Sequence, residues 1–367
     1  MLNRRDVLKL ALLAPWLSAC GGAGEDRSER PIKTEVRADD WPSAAPETQG
    51  IAAAVMQAFL DDGTSFPYLY SALVVRNGQL IGERYYNGAQ SSDLRSVASV
   101  TKTVSSLLVG QAIEGGKIAS TSDTLAKLLP AELARTPNAY AAGITLQQLL
   151  DMTGGQQWDE SVRQRDATGA ADMTAFALAL PSDGRVQGKT WTYSTAASHL
   201  LSPILKNAYG IDELAIAQAK LFEPLGIRNS AWSRDATGMV HGSFGLQLRT
   251  RDLMKLAWMC MQGGQWQGRA LVPADWLTKS LTPYVKGLDD EGAMQNVGYG
   301  NLWWAGTLAG LEVHSMQGYG GQYAFLVPQL NLTIATAAEL NIDMRTAGKH
   351  QEAIINMIGR FLQAARG

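Results

Sequence analysis

Strand-like runs cluster at both ends of this chain while its middle carries helical patterns, and that division limits the fold more than any other feature. Residues 70–75 and 79–85 are β-rich and are separated by Arg76-Asn77-Gly78, where Asn-Gly predicts a tight hairpin. Strand patterns return at 299–305, 311–315, 323–327 and 332–336. A helix is predicted over 49–60, residues 95–280 are mostly helical with many loops, and a last helix covers about 344–364. Strands at both ends, with helices between, imply one antiparallel sheet built from both chain ends and flanked by helices, plus a helical lobe. The predicted class is therefore α+β, an α/β sandwich. The expected sheet lobe comprises about 45–93 and 296–367 and the helical lobe about 94–295, together one domain over 41–367. A cleft between such lobes is where a pocket is expected.

With 367 residues, 46% of them hydrophobic, the chain can bury a large core. Its net charge of −2 and the lack of a basic stripe give no support to a nucleic-acid partner. The first twenty residues read as a targeting segment. Asn3-Arg4-Arg5-Asp6-Val7-Leu8-Lys9 resembles a twin-arginine export signal, with asparagine and valine where serine and phenylalanine are more usual. The apolar run over 10–17 is too short to span a bilayer as a mature helix. Leu17-Ser18-Ala19-Cys20 then resembles a bacterial lipoprotein cleavage box, which would make Cys20 the lipidated first residue; an ordinary cleaved signal peptide is the alternative. Either reading exports the protein, and the lipoprotein reading anchors it to a membrane on the periplasmic side, the outer membrane included. Residues 21–40, rich in glycine and in both signs of charge, read as a flexible tether. Cys260, within the apolar pattern 253–261, is expected to be a buried, inert thiol without a disulfide partner.

Ser99-Val100-Thr101-Lys102 places a hydroxyl and an amine one helical turn apart at the start of the apolar helix predicted within 94–118. A serine in a first helical turn sits where backbone N–H groups and the helix dipole favour negative charge, so an oxyanion formed during attack would meet donors. Alone, the spacing is equally that of a helix start with a solvated lysine. Two further segments change that weighting: Trp191-Thr192-Tyr193-Ser194-Thr195, followed by an apolar stretch at 200–205, and Gly318-Tyr319-Gly320-Gly321-Gln322, leading into the strand pattern 323–327.

Together these three segments resemble the active-site elements of the serine beta-lactamase and penicillin-binding-protein superfamily. The closer resemblance is to the branch containing class C beta-lactamases, family VIII carboxylesterases and 6-aminohexanoate-dimer hydrolases. The likeness runs over roughly 45–365 and is supported by Ile144-Thr145-Leu146-Gln147-Gln148-Leu149-Leu150-Asp151-Met152-Thr153-Gly154-Gly155, by Gly245-Leu246 with Arg251-Asp252-Leu253, and by Gly263-Gly264. The family fold agrees with the α+β reading above.

The resemblance implies that Ser99 is a nucleophile attacking an acyl carbon, activated by Lys102, with Tyr193 protonating the leaving group and then activating water. It implies an oxyanion hole from the backbone N–H groups of Ser99 and Gln322, with Gly320 and Gly321 allowing substrate to approach the backbone. No cofactor is implied. Two departures bear on substrate: Tyr319 stands where a lysine usually opens the third element, and Thr195 stands where an asparagine usually closes the second. Loss of the cation weakens the case for a substrate carboxylate, and loss of the amide removes a group able to hold the lysine. Both point to a serine hydrolase of small-molecule esters, linear amides or peptide-like substrates. A class C-like beta-lactamase, a D,D-peptidase and a non-catalytic penicillin-binding-like module are the alternatives.

Trp158, Trp191, Tyr319 and Trp303 or Trp304 could line an apolar pocket or could be core aromatics. His199 and His314 are expected to be structural, because no Gly-X-Ser-X-Gly elbow accompanies them. Four histidines without His-Glu-X-X-His or paired cysteines argue against a metal site.

Overall fold

The computed structural model describes residues 41–366. The export motif, Cys20 and the tether fall outside the described residues. An eight-stranded antiparallel sheet forms the centre, and its strands are β1 (Leu69–Arg76), β2 (Gln79–Tyr85), β3 (Val285–Leu288), β4 (Met294–Gly300), β5 (Trp303–Leu308), β6 (Leu311–Gly318), β7 (Gln322–Val327) and β8 (Leu332–Ala338). Their spatial order is β2-β1-β8-β7-β6-β5-β4-β3, so the first hairpin joins the sheet by pairing β1 with β8. The hairpin turn has positive φ at both Asn77 and Gly78, as the Asn-Gly pair predicts.

The central strands read as nearly continuous apolar runs because both faces are covered. Ala72 and Val74 of β1, with Tyr323 and Phe325 of β7, face a core shared with α1 (Ala53–Asp62) and the last long helix. The intervening Leu73 and Val75 face the opposite side with Met254. Phe59 meets Phe361 across the first of these layers at a ring separation of 4.6 Å. The second layer contains α2 (Val100–Glu114), whose Val100, Val104, Leu107 and Leu108 are fully buried, in one core with the many short helices between β2 and β3.

Several expectations differ from the structure in detail: the helix read over 49–60 spans Ala53–Asp62, and β3 falls within the expected helical lobe. The strand pattern read over 299–305 is two strands, β4 and β5, because Asn301 and Leu302 both take positive φ and reverse the chain. The helix read within 94–118 begins at Val100, with Ser99 as its N-cap residue, after a short extended segment at Arg95–Ser96 that pairs with Leu246–Leu248. Among the described residues no helix is long and apolar enough to cross a membrane.

Candidate active site

Ser99 sits immediately before the first turn of α2, held there by an irregular residue. Ala98 has φ +47°, a region that side-chain-bearing residues rarely enter, so the turn that presents Ser99 stores local strain. One helical turn on, Lys102 is 1% exposed. Its Nζ lies 2.8 Å from Ser99 Oγ, 3.2 Å from Thr195 Oγ1 and 2.9 Å from the Ser243 carbonyl oxygen. Burial pushes the amine down to about 8, and the Glu160 carboxylate opposes that shift.

Tyr193 approaches from the loop before α4 (Thr195–His199). Its ring centroid is 5.0 Å from Lys102 Nζ, and it stacks on Trp304 at 6.0 Å. Burial raises the phenol, Glu160 raises it further, and the Ser99 hydroxyl acts in the opposite direction. Ser99, Lys102 and Tyr193 are thus brought together. Tyr193 is held by an aromatic group of Trp191, Tyr299 and Trp304, all with centroids between 4.8 and 6.3 Å of a neighbour.

A cleft of about 240 Å³ opens over Ser99, with Tyr193, Trp304, Tyr319 and Gly318 among its walls. Its lining includes two carboxylates, Glu160 and Glu291, and no lysine or arginine among the described residues. Burial raises the Glu291 carboxyl, and its Oε2 has no hydrogen-bond partner. Tyr319 donates to the Ile342 carbonyl at 2.7 Å. Trp304 and Tyr319 therefore face the cleft, whereas Trp303 is a core residue.

Other residues of the third segment have different surroundings. Gly320 and Gly321 have φ +81° and +109° in the turn between β6 and β7. A Cβ on Gly320 would lie 2.4 Å from the Glu339 carbonyl, and one on Gly321 would lie 2.4 Å from Ile354 Cδ1. The protein's own packing thus requires glycine at both. Gln322 is buried and its side chain grips the Ala338 backbone, donating at 2.7 Å and accepting at 3.0 Å. Gly318 is the glycine pressed against the turn that presents Ser99, since a Cβ there would meet the Val97 carbonyl at 2.5 Å.

Thr195 reverses one inference from sequence: although it lacks an amide, its hydroxyl does hold Lys102. Behind it stands Glu160, the first residue of α3 (Glu160–Thr168). Glu160 Oε1 accepts from the Thr195 hydroxyl in a short bond, while Oε2 accepts from Thr195 N at 2.9 Å and from Trp158 Nε1 at 2.7 Å. Sequence reasoning missed Glu160 and Glu291, and it named Gly318 only as the opening residue of the third segment. Asp159-Glu160 looks like an ordinary acidic helix start, and nothing in its spacing points 35 residues ahead to Thr195.

His199 is fully buried, bonded to Thr174 Oγ1 at 3.1 Å and pushed down to about 3 by burial and by His241. Cys260 is buried and free, with its thiol raised by burial. Among the described residues no group of three or more His, Cys, Asp or Glu side chains is placed to hold a metal ion.

This fold, with a serine and a buried lysine meeting at the start of α2, defines a class. The Beta-lactamase family model matches residues 53–355, and the chain belongs to that family. It is a hydrolase of the beta-lactamase type. It is 24% identical over 319 residues to 6-aminohexanoate-dimer hydrolase of Paenarthrobacter ureafaciens, covering 80% of this chain and 78% of that one. Among solved structures, a D-stereospecific amidohydrolase from Streptomyces sp. matches with a TM-score of 0.63 at 20% identity, over 82% of this chain and 97% of that one. EstCE1, a hydrolase with promiscuous acyltransferase activity, matches with a TM-score of 0.62 at 17% identity, over 83% and 96%. Likeness at those identities establishes the shared antiparallel-sheet and helix fold.

Proposed function

We propose that this protein is a serine hydrolase that cleaves an ester or linear amide through an acyl-serine intermediate. The observation that carries the reading is the 2.8 Å contact between Lys102 Nζ and Ser99 Oγ, made by an amine that burial brings to about 8. An amine near that value is partly neutral at physiological pH, so it can take the Ser99 proton as Oγ attacks the acyl carbon. Tyr193, whose phenol also meets the Ser99 hydroxyl, then delivers a proton to the leaving oxygen or nitrogen. Water, activated by the same groups, releases the acid and restores Ser99. The Ser99 N–H and the backbone of the β6–β7 segment would receive the oxyanion.

Substrate preference follows from charge. A carboxylate-bearing beta-lactam or stem peptide would enter a cleft lined by Glu160 and Glu291 with no wall cation among the described residues, which disfavours it. A neutral or cationic ester or amide meets no such penalty. The 6-aminohexanoate-dimer hydrolase relative supports a linear amide. We further propose export and lipidation at Cys20, with the hydrolase held at a membrane on the periplasmic side. Radiolabelled palmitate incorporated into the full chain and lost in Cys20→Ser is the expected result; equal labelling of both would reject the anchor.

The decisive test is hydrolysis of p-nitrophenyl butyrate by the full chain and by Ser99→Ala, with fluorophosphonate labelling of each. Turnover and labelling that both vanish in the variant are expected. A Ser99→Ala protein with undiminished rate, or a wild type that neither turns over nor labels, rejects the proposal.

A further inference from the structure

We infer that Glu160 is a positioning residue that fixes the direction of the Thr195 hydroxyl, so that the lone pair of Lys102 is kept for Ser99. This rests on the serine hydrolase reading above. The argument is a count of protons. A neutral amine has two N–H donors and one lone pair. Lys102 Nζ has three neighbours, and one, the Ser243 carbonyl, can only accept. Thr195 could in principle do either, because a hydroxyl both donates and accepts. If it donated to Nζ, it would occupy the lone pair and quench the base.

Glu160 prevents that. The single proton of Thr195 is committed to Glu160 Oε1, and the adjoining Thr195 N–H is committed to Oε2. The hydroxyl can then only accept from Lys102. With both N–H donors assigned, to Thr195 and to Ser243, the remaining direction on Nζ points at Ser99 Oγ, 2.8 Å away. Trp158 Nε1, donating to the same carboxylate at 2.7 Å, holds Glu160 in place without competing for Oε1. Both Thr195 and Lys102 are buried, so water does not supply a substitute partner cheaply.

Glutamine at 160 is the discriminating change. It has one acceptor oxygen for the two Thr195 donors and turns an N–H₂ toward one of them. Glu160→Gln is expected to lower kcat on p-nitrophenyl butyrate by at least about tenfold with KM nearly unchanged. The ionisable groups around Lys102 are Glu160 and Tyr193, and Glu160 raises the lysine. Its removal should therefore move the acidic limb of kcat/KM to lower pH. Since Glu160 acts through a hydroxyl, Glu160→Gln made in a Thr195→Val background should cost less than about twofold further. Thr195→Ser, which keeps the hydroxyl, should stay within a few-fold of wild type, and its thermal midpoint shows that the site still folds.

Glu160→Gln with wild-type kcat and an unmoved limb overturns the inference, as does a loss seen only in KM or losses that multiply in the double variant. In each of those results Ser99→Ala would still be inactive, so the hydrolase reading survives the failure of this one.

Discussion

Successive turns of α2 bury two ionisable partners of opposite kind, and the difference between them is what would make one turn reactive in the proposed hydrolysis. Lys102 is surrounded by three oxygens, one of which, Ser99 Oγ, borders the cleft. One turn later Ser105 meets Glu213, which is fully buried and raised to about 7 by its burial. Ser105 Oγ donates to Glu213 Oε1 at 2.5 Å and lies 2.8 Å from the Gly242 carbonyl oxygen. The two turns grip neighbouring carbonyls, Lys102 that of Ser243 and Ser105 that of Gly242. Both groups are pressed toward neutrality by the same desolvation. Only the lysine has a neighbour to which its neutral form is useful.

The largest expected effect is on turnover. Lys102→Met should lower kcat by about a thousandfold or more while thermal stability at pH 7 equals or exceeds that of the wild type, because a desolvated amine is replaced by an apolar chain of similar length. Steady-state kinetics and a melting curve on one sample read both. Retained turnover would break the assignment of the base, and a strongly lowered midpoint would mean that the lysine is a structural tie.

Stability against pH should separate the two turns next. Glu213 is raised from 4.5 to about 7, so the folded state binds more protons than the unfolded one between those values. Stability should fall as pH rises through that window, by on the order of 3 kcal/mol. Lys102 is lowered from 10.5 to about 8, so the folded state binds fewer protons there and its contribution should rise with pH over that range. Chemical denaturation between pH 5 and 10 tests both slopes. Glu213→Gln should abolish the first slope and leave the second. If the acid-side slope persists in that variant, Glu213 is not its source.

These contrasts also show what sequence could reveal. Ser99 and Lys102 were legible because they lie on one helix, where spacing fixes geometry, and the sheet was legible because period-two and apolar patterning report burial directly. Tyr193 was legible only through the order of three segments. Glu160 and Glu213 were not, since each meets its partner from a distant helix start, 35 residues before Thr195 and 108 after Ser105, where an acidic residue is the ordinary choice for the helix dipole. The strand read over 299–305 failed because Asn301-Leu302 hides a tight reversal inside an apolar run.

Tyr193→Phe should come below Lys102→Met in activity, with a loss of about a hundredfold, since the ring and its stacking on Trp304 remain while the proton carrier is removed. The loss should be smaller for p-nitrophenyl esters, whose leaving group needs little protonation, than for an anilide of the same acid. Equal losses on both substrates would argue that Tyr193 only shapes the cleft.

The smallest effect tests whether the two turns are independent. Ser105→Ala removes the hydroxyl that Glu213 and the Gly242 carbonyl share, yet Lys102 keeps all three of its oxygens. Stability should fall by about 1–3 kcal/mol, the range for leaving buried polar groups unpaired. Turnover should change by less than about twofold, with the acidic limb of kcat/KM in place. A shifted limb would mean that the backbone around Gly242 and Ser243 transmits the state of the sealed acid to the reactive amine. In that case Glu213→Gln, which leaves the Ser105 hydroxyl intact, should shift the limb as well, and the two buried groups would be a single coupled unit rather than two neighbours on one helix.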